Sequence, residues 1–141
     1  MPVNICYELF TEVDDDLSVR ATANVVGKTF GAISADIQSG PAVTTTALPV
    51  TWDGGNFQAA TCGAGVKADG VFAYDALAGQ LLPLKAPGKI VPVTAGAAIT
   101  AGQEVQSDAA GKAIPLAAGR PCGKAFTTAA ANADCFVRLY A

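Results

Sequence analysis

Four cysteines, a set of Asp–Gly turns and one Gly-Lys-Thr triplet are the residues whose types and spacing could do chemistry. The chain has no histidine. That removes Ser-His-Asp and Cys-His catalysis, His-ligated metals and the usual general base near neutral pH. Cys6, Cys62, Cys122 and Cys135 include no C-x-x-C pair, so an all-cysteine zinc site lacks its ligand spacing. They read as small buried hydrophobes with free thiols, with one or two disulfides as the alternative. Gly27-Lys28-Thr29 has Thr22 where a phosphate-binding loop needs its upstream glycine, and neither Gly54-Gly55 nor Gly63-Ala64-Gly65 precedes a helix. Asp14-Asp15-Asp16 reads as a solvated turn, since no D-x-D-x-D-G calcium spacing follows. Asp53, Asp69, Asp75 and Asp108 each sit beside glycine or within a turn, where bonding the turn backbone is role enough. These residues predict no catalytic, cofactor-binding or metal site.

The surrounding elements are strands. Val3 to Phe10 alternates, with Val3, Ile5, Tyr7 and Leu9 on one side and Asn4, Cys6, Glu8 and Phe10 on the other, a strand with two usable faces. Residues 1–18 are expected to form an extended N-terminal arm, and 19–141 a single β-rich domain. Leu17 to Val26 alternates again; Gly27-Lys28 turns the chain and Thr29 to Ile33 returns, which predicts a hairpin. Gln38 to Pro41 is a loop, Ala42 to Trp52 is extended with Pro49 suited to an edge, and Asp53-Gly54-Gly55-Asn56 is a strong hairpin turn. An internal echo follows. Ala64 to Val71 resembles Ala97 to Val105, and Asp75 to Leu84 resembles Asp108 to Leu116, predicting two similar hairpins that each end in Pro-Leu. Arg120 to Phe126 and Cys135 to Tyr140 are strands, joined by a turn or a single helical turn over Thr127 to Asp134. No segment holds a helical period free of Gly or Pro. The fold class is all-β: a small barrel or sandwich of short strands and hairpins with little helix.

With 141 residues, 51% hydrophobic and only 15% charged, the chain is one globular domain with unusually little charge to cover its surface. Soluble domains carry roughly 25%. Such a surface hides part of itself against partners. A net charge of −3 without a basic cluster argues against nucleic acid. No apolar run reaches the roughly 18 residues of a membrane helix, and the N-terminus, with Glu8 and no basic start, is not a secretory signal. Synthesis and assembly in the host cytoplasm are expected.

The ordered segments Val25-Val26-Gly27-Lys28-Thr29-Phe30, Gly70-Val71-Phe72-Ala73-Tyr74-Asp75, Val91 to Ile99, Ala101-Gly102-x-x-Val105, and Cys122-Gly123-Lys124-Ala125 followed by Ala131-Asn132-Ala133-Asp134 resemble the capsid decoration (head cement) proteins of tailed bacteriophages. The likeness spans roughly residues 20 to 141. It implies a β-tulip-like fold without an active site or cofactor. It implies a homotrimer on the outer surface of the virion, clamping copies of the major capsid protein at three-fold or quasi-three-fold positions of the expanded head. Ile5, Tyr7, Leu9 and Phe10 are the candidate capsid or oligomer contacts, through strand addition at a partner's sheet edge. Two other classes compete. One is a tail, fibre or glycan-binding β-module using Trp52, Tyr7, Tyr74 or Tyr140. The other is a carrier domain similar to the biotinyl and lipoyl families, with Lys112 at a hairpin tip after A-G-Q-x-V; there Gly111 stands where those families place Met or Asp.

Overall fold

The structure, a computed structural model, describes residues 16–38, 44–45, 48–49 and 56–141. Among them there are twelve strands and no helix: β1 (Leu17–Ala21), β2 (Phe30–Gln38), β3 (Thr44–Thr45), β4 (Leu48–Pro49), β5 (Asn56–Thr61), β6 (Gly70–Phe72), β7 (Leu81–Lys85), β8 (Ile90–Thr94), β9 (Glu104–Ser107), β10 (Ala113–Pro115), β11 (Gly123–Ala125) and β12 (Asp134–Leu139). Five close a barrel in the order β1-β5-β2-β6-β7, five form a second sheet in the order β10-β9-β11-β12-β8, and β3 and β4 pair on their own. The all-β expectation holds.

Two apolar cores lie back to back. Val19, Ala21, Val25, Ala59, Phe72, Ala76, Leu82 and Leu84 fill the barrel. Phe30, Cys62 and Val71 pack instead with Val91, Val93, Ile99, Val105, Cys135, Val137 and Leu139 of the second sheet. β6 is the shared wall, buried at every position. Successive side chains point to opposite faces, so Val71 serves one core and Phe72 the other. Only glycine fits Gly31: a Cβ there would lie 2.7 Å from Phe72 Cζ and 2.8 Å from Leu84 Cδ1.

The predicted hairpin of Leu17–Val26 with Thr29–Ile33 is overturned. β1 never pairs with β2; it lies parallel to β5 (Val19 opposite Phe57) and antiparallel to β7 (Leu17 opposite Leu84), and β5 stands between it and β2. The reason is in the connection. Val25 exchanges both backbone hydrogen bonds with Ala76, at 2.9 and 3.1 Å. Residues 22–29 therefore form an arm reaching across to the β6–β7 connection, not a tight reversal.

That arm has three relatives. Ile99 and Ala129 exchange the same two bonds, at 2.8 and 3.0 Å. In every arm the third residue after the bridging one has a positive φ: Lys28 61°, Gly79 87°, Gly102 93°, Asn132 66°. Its amide bonds the carbonyl of the residue that precedes the partner's bridging residue by four, as Lys28 to Phe72 at 3.0 Å, Gly79 to Ala21 at 2.7 Å, Gly102 to Ala125 at 2.8 Å and Asn132 to Ala95 at 2.7 Å. Lys28 and Asn132 adopt the left-handed region at a cost that glycine avoids, which shows how strongly the crossed bonds dictate the turn. The molecule thus carries two crossed-arm clasps, one closing the barrel and one the second sheet.

The two hairpins expected from the internal echo are present, β6 with β7 and β9 with β10, but their aspartates differ in role. Asp108 Oδ1 accepts from Ala110 and Lys112 of its own turn, both at 2.8 Å. Asp75 Oδ1 instead accepts from Gly27 of the opposite arm at 2.8 Å. Thr127 to Asp134, expected as a turn, is the fourth arm. Asp53, Gly54 and Gly55 lie outside the described residues; Pro49 sits in the two-stranded β3–β4 ladder.

Candidate docking faces

Two surfaces stand out once the strands are placed. The first is the tip of the barrel clasp. The residues that follow its bridging positions turn apolar side chains outward, Val26 50% and Leu77 61% exposed. The second clasp has Thr100 and Ala130 at the same places. Beneath the apolar tip lies a shallow groove of about 540 Å³, lined by Asn24, Tyr74, Asp75 and Gln80.

The second surface is the outer face of the second sheet. Along β12, Cys135, Val137 and Leu139 are buried while Phe136 and Arg138 alternate outward. Register then builds two rows across the strands. Glu104 lies opposite Lys124, Lys124 opposite Arg138, and Arg138 opposite Ile90. Beside this row, the Phe126 amide donates to Phe136 O at 2.7 Å and Phe136 lies opposite Pro92; Phe126 is 47% exposed. The face runs into a groove of about 530 Å³ bordered by Pro87, Gly88 and Tyr140. Tyr140 Oη donates to Glu104 Oε1 at 3.3 Å, and burial followed by the Glu104 charge holds its phenol above the usual value. Lys67 Nζ sits 5.7 Å from the Tyr140 ring centroid and donates to the carbonyls of Pro121 and Tyr140, both at 3.2 Å.

The residues singled out from sequence fall elsewhere. Ile5, Tyr7, Leu9 and Phe10, with Cys6, Trp52 and Asp53, lie outside the described residues. Cys62, Cys122 and Cys135 are free and buried, as expected of small hydrophobes. Cys62 and Cys122 both donate to Val66 O, at 3.3 and 3.5 Å, and burial raises the Cys62 thiol from 9.0 to about 11. Such thiols are poor nucleophiles and poor ligands. Lys28 of the Gly-Lys-Thr triplet pairs with Asp134 at 3.0 Å, and Lys112 Nζ donates to Asn132 Oδ1 at 3.0 Å, so both bind the fold itself. Asp69 Oδ2 accepts from the Ile33 amide at 2.8 Å. Tyr74 and Tyr140 line different grooves and form no aromatic pair for a sugar. Among the described residues no three potential ligands gather to hold a metal ion.

Asp16 departs from the reading of the acidic run as a solvated turn; Asp14 and Asp15 lie outside the described residues. Its two oxygens take Lys89 Nζ at 2.6 Å and Lys85 Nζ at 2.8 Å, and Lys89 is only 1% exposed. A buried ammonium needs a paired charge, and Asp16 supplies one just before β1. Nothing in the sequence marks Asp16 from its neighbours, because Lys85 and Lys89 are distant along the chain.

No curated protein matches the chain. Among solved structures, the head fiber gp8.5 N base in bacteriophage phi29 superposes with a TM-score of 0.66 at 18% identity, covering 88% of this chain and 92% of that one; the two share a fold. The sequence pattern of the phage cement proteins runs over residues 16–140, from the aspartate that holds the buried lysine to the end of the second sheet, and the chain belongs to that family.

Proposed function

We propose that this protein is a homotrimeric clip on the outer surface of the expanded head, seated at three-fold or quasi-three-fold positions, where it holds neighbouring copies of the major capsid protein together. Membership of the phage cement family makes it a structural protein of the virion, bound to the head, and that match is the observation that carries the reading. The architecture suits the task. Two cores back to back and two hydrogen-bonded clasps give a stiff body, and the buried thiols and turn-bound aspartates leave little reactive surface. A trimer gripping several capsid subunits multiplies modest contacts through effective concentration. The segment that precedes Asp16 acts as an arm, with Ile5, Tyr7, Leu9 and Phe10 adding a strand to the neighbour.

Two measurements test this. Expanded heads assembled without the protein should release their DNA at lower temperature than heads that carry it; equal release temperatures would remove the stabilising role. Deleting residues 2–12 should lower occupancy on the head, and undiminished occupancy would remove the arm from the mechanism.

A further inference from the structure

We propose that the outer face of the second sheet binds an acidic segment of another protein, with an apolar side chain of that segment laid against Phe126 and Phe136 and a carboxylate seated between Lys124 and Arg138. The inference deepens the head-binding reading and rests on it for the source of the segment, the shell protein.

The cross-strand register carries the argument. Like charges directly opposite on adjacent strands destabilise a sheet, yet Lys124 and Arg138 are such a pair, and both are exposed. Neither makes an ion pair among the described residues, where the pairs are Lys28–Asp134, Lys85–Asp16 and Lys89–Asp16. Glu104 flanks Lys124 on its other side but takes its hydrogen bond from Tyr140. Lys67 adds a further cation behind the Tyr140 ring. On a chain of net charge −3, this clustering of cations on one sheet face stands against the overall balance. A bridging carboxylate would turn the repulsion into two charge-assisted hydrogen bonds, and Arg138 offers the planar fork that suits one. The adjoining Phe126, which is exposed, and the half-buried Phe136 supply apolar area next to the charges, and aromatics with arginine are the residues that anchor protein interfaces. A second copy is a weaker occupant, because this face repels its own cations across a two-fold contact.

The test has two arms. In the first, the isotope-labelled protein is titrated with the peptide Asp-Glu-Phe-Asp-Glu and, separately, with Lys-Lys-Phe-Lys-Lys, and backbone amide shifts are followed. Saturable shifts around Lys124, Phe126, Phe136 and Arg138 with the acidic peptide alone, lost in the folded Lys124→Glu/Arg138→Glu variant, are expected. Absent shifts, or equal shifts with both peptides, overturn the proposal. In the second arm the same variant and an Arg120→Glu control are bound to purified expanded heads. The variant should bind at least roughly tenfold more weakly and the control like the parent. Parent and variant binding equally well overturns the proposal while head binding stands. Should the parent itself fail to bind heads, the head-binding reading falls and the peptide titration alone decides. A variant that loses self-association in light scattering but keeps its head affinity assigns the face to a second copy and overturns the proposal.

Discussion

At the scale of single residues, the tightest constraint is on glycine. Gly31 lies where β2 crosses the Phe72 and Leu84 side chains, and a methyl group would drive into both. Gly31→Ala should therefore lower stability by about 1–3 kcal/mol, the usual cost of overpacking, read as a drop in the urea midpoint with the slope unchanged. The cysteines give a prediction in pH. The Cys62 thiol is raised from 9.0 to about 11 and the Cys135 thiol is raised as well, both chiefly by burial. In the unfolded chain these groups lose their protons near 9, while the native state holds them. Their contribution to stability is thus complete below pH 9 and is lost as pH climbs toward 11. Chemical denaturation at pH 8, 9.5 and 10.5 should show the decline, and Cys62→Ala should flatten part of it. The buried state of these cysteines was legible, because thiols without ligand spacing in an apolar chain are small hydrophobes; that they stay unpaired was not, since pairing depends on which strands the fold brings together. Asp16 was not: one aspartate in a run of three looks like its neighbours until the fold brings Lys85 and Lys89 to it.

Elements were legible wherever apolar residues alternate, as in Leu17–Ala21 and Asp134–Leu139, since a half-buried strand repeats every second residue, and in the β-branched run that becomes Ile90–Thr94, which is buried at its three central positions. Partners were not. The Gly27-Lys28 turn was visible, but nothing local says that Val25 bonds Ala76 and leaves Phe30 without a hairpin partner. The clasps leave a faint trace, a small or β-branched residue and, three positions on, Lys28, Gly79, Gly102 or Asn132 with positive φ; two of the four are not glycine, which hid the repeat. One further detail recurs. In three of the four arms the side chain just before the bridging residue caps the opposite arm: Asn24 Oδ1 accepts from Ala78 at 3.0 Å, Asp75 Oδ1 from Gly27 at 2.8 Å, and Thr128 Oγ1 from Ala101 at 3.1 Å. The fourth position holds Ala98, which has no acceptor. Asn24→Ala and Thr128→Ala should each cost about 0.5–1.5 kcal/mol, and Ala98→Asn should raise stability by up to about 1 kcal/mol by supplying the missing cap. Thermal melts of the three variants check both signs. The outward direction of Lys124 and Arg138 follows from alternation, but their pairing depends on register between separate strands, which the sequence does not display.

At the scale of the whole molecule, β6 serves both cores, and the two are expected to unfold together. Val71 and Phe72 are neighbours in the chain and belong to different cores, so loosening one side removes the wall of the other. A single calorimetric transition, with equal calorimetric and van't Hoff enthalpies, is the expected result; two resolved peaks would show that barrel and second sheet melt apart. That rigidity suits a cement protein, which must keep its contact faces at fixed spacing while the shell beneath it bears load. Docking surfaces of this kind need shape and a few anchored side chains.

The closure of the barrel by β1 against β7 also dictates when the protein can fold during its synthesis. The ribosome delivers Leu17–Ala21 early, but the strand that covers its antiparallel edge ends at Lys85, and its parallel neighbour β5 also arrives late. Until then the nascent chain exposes the unpaired edges of β1, with Leu17 and Val19 uncovered, and bare strand edges are the form most prone to stick to other chains. Every copy passes through that interval, so slowing translation between Ala21 and Lys85 should lower the yield of soluble protein.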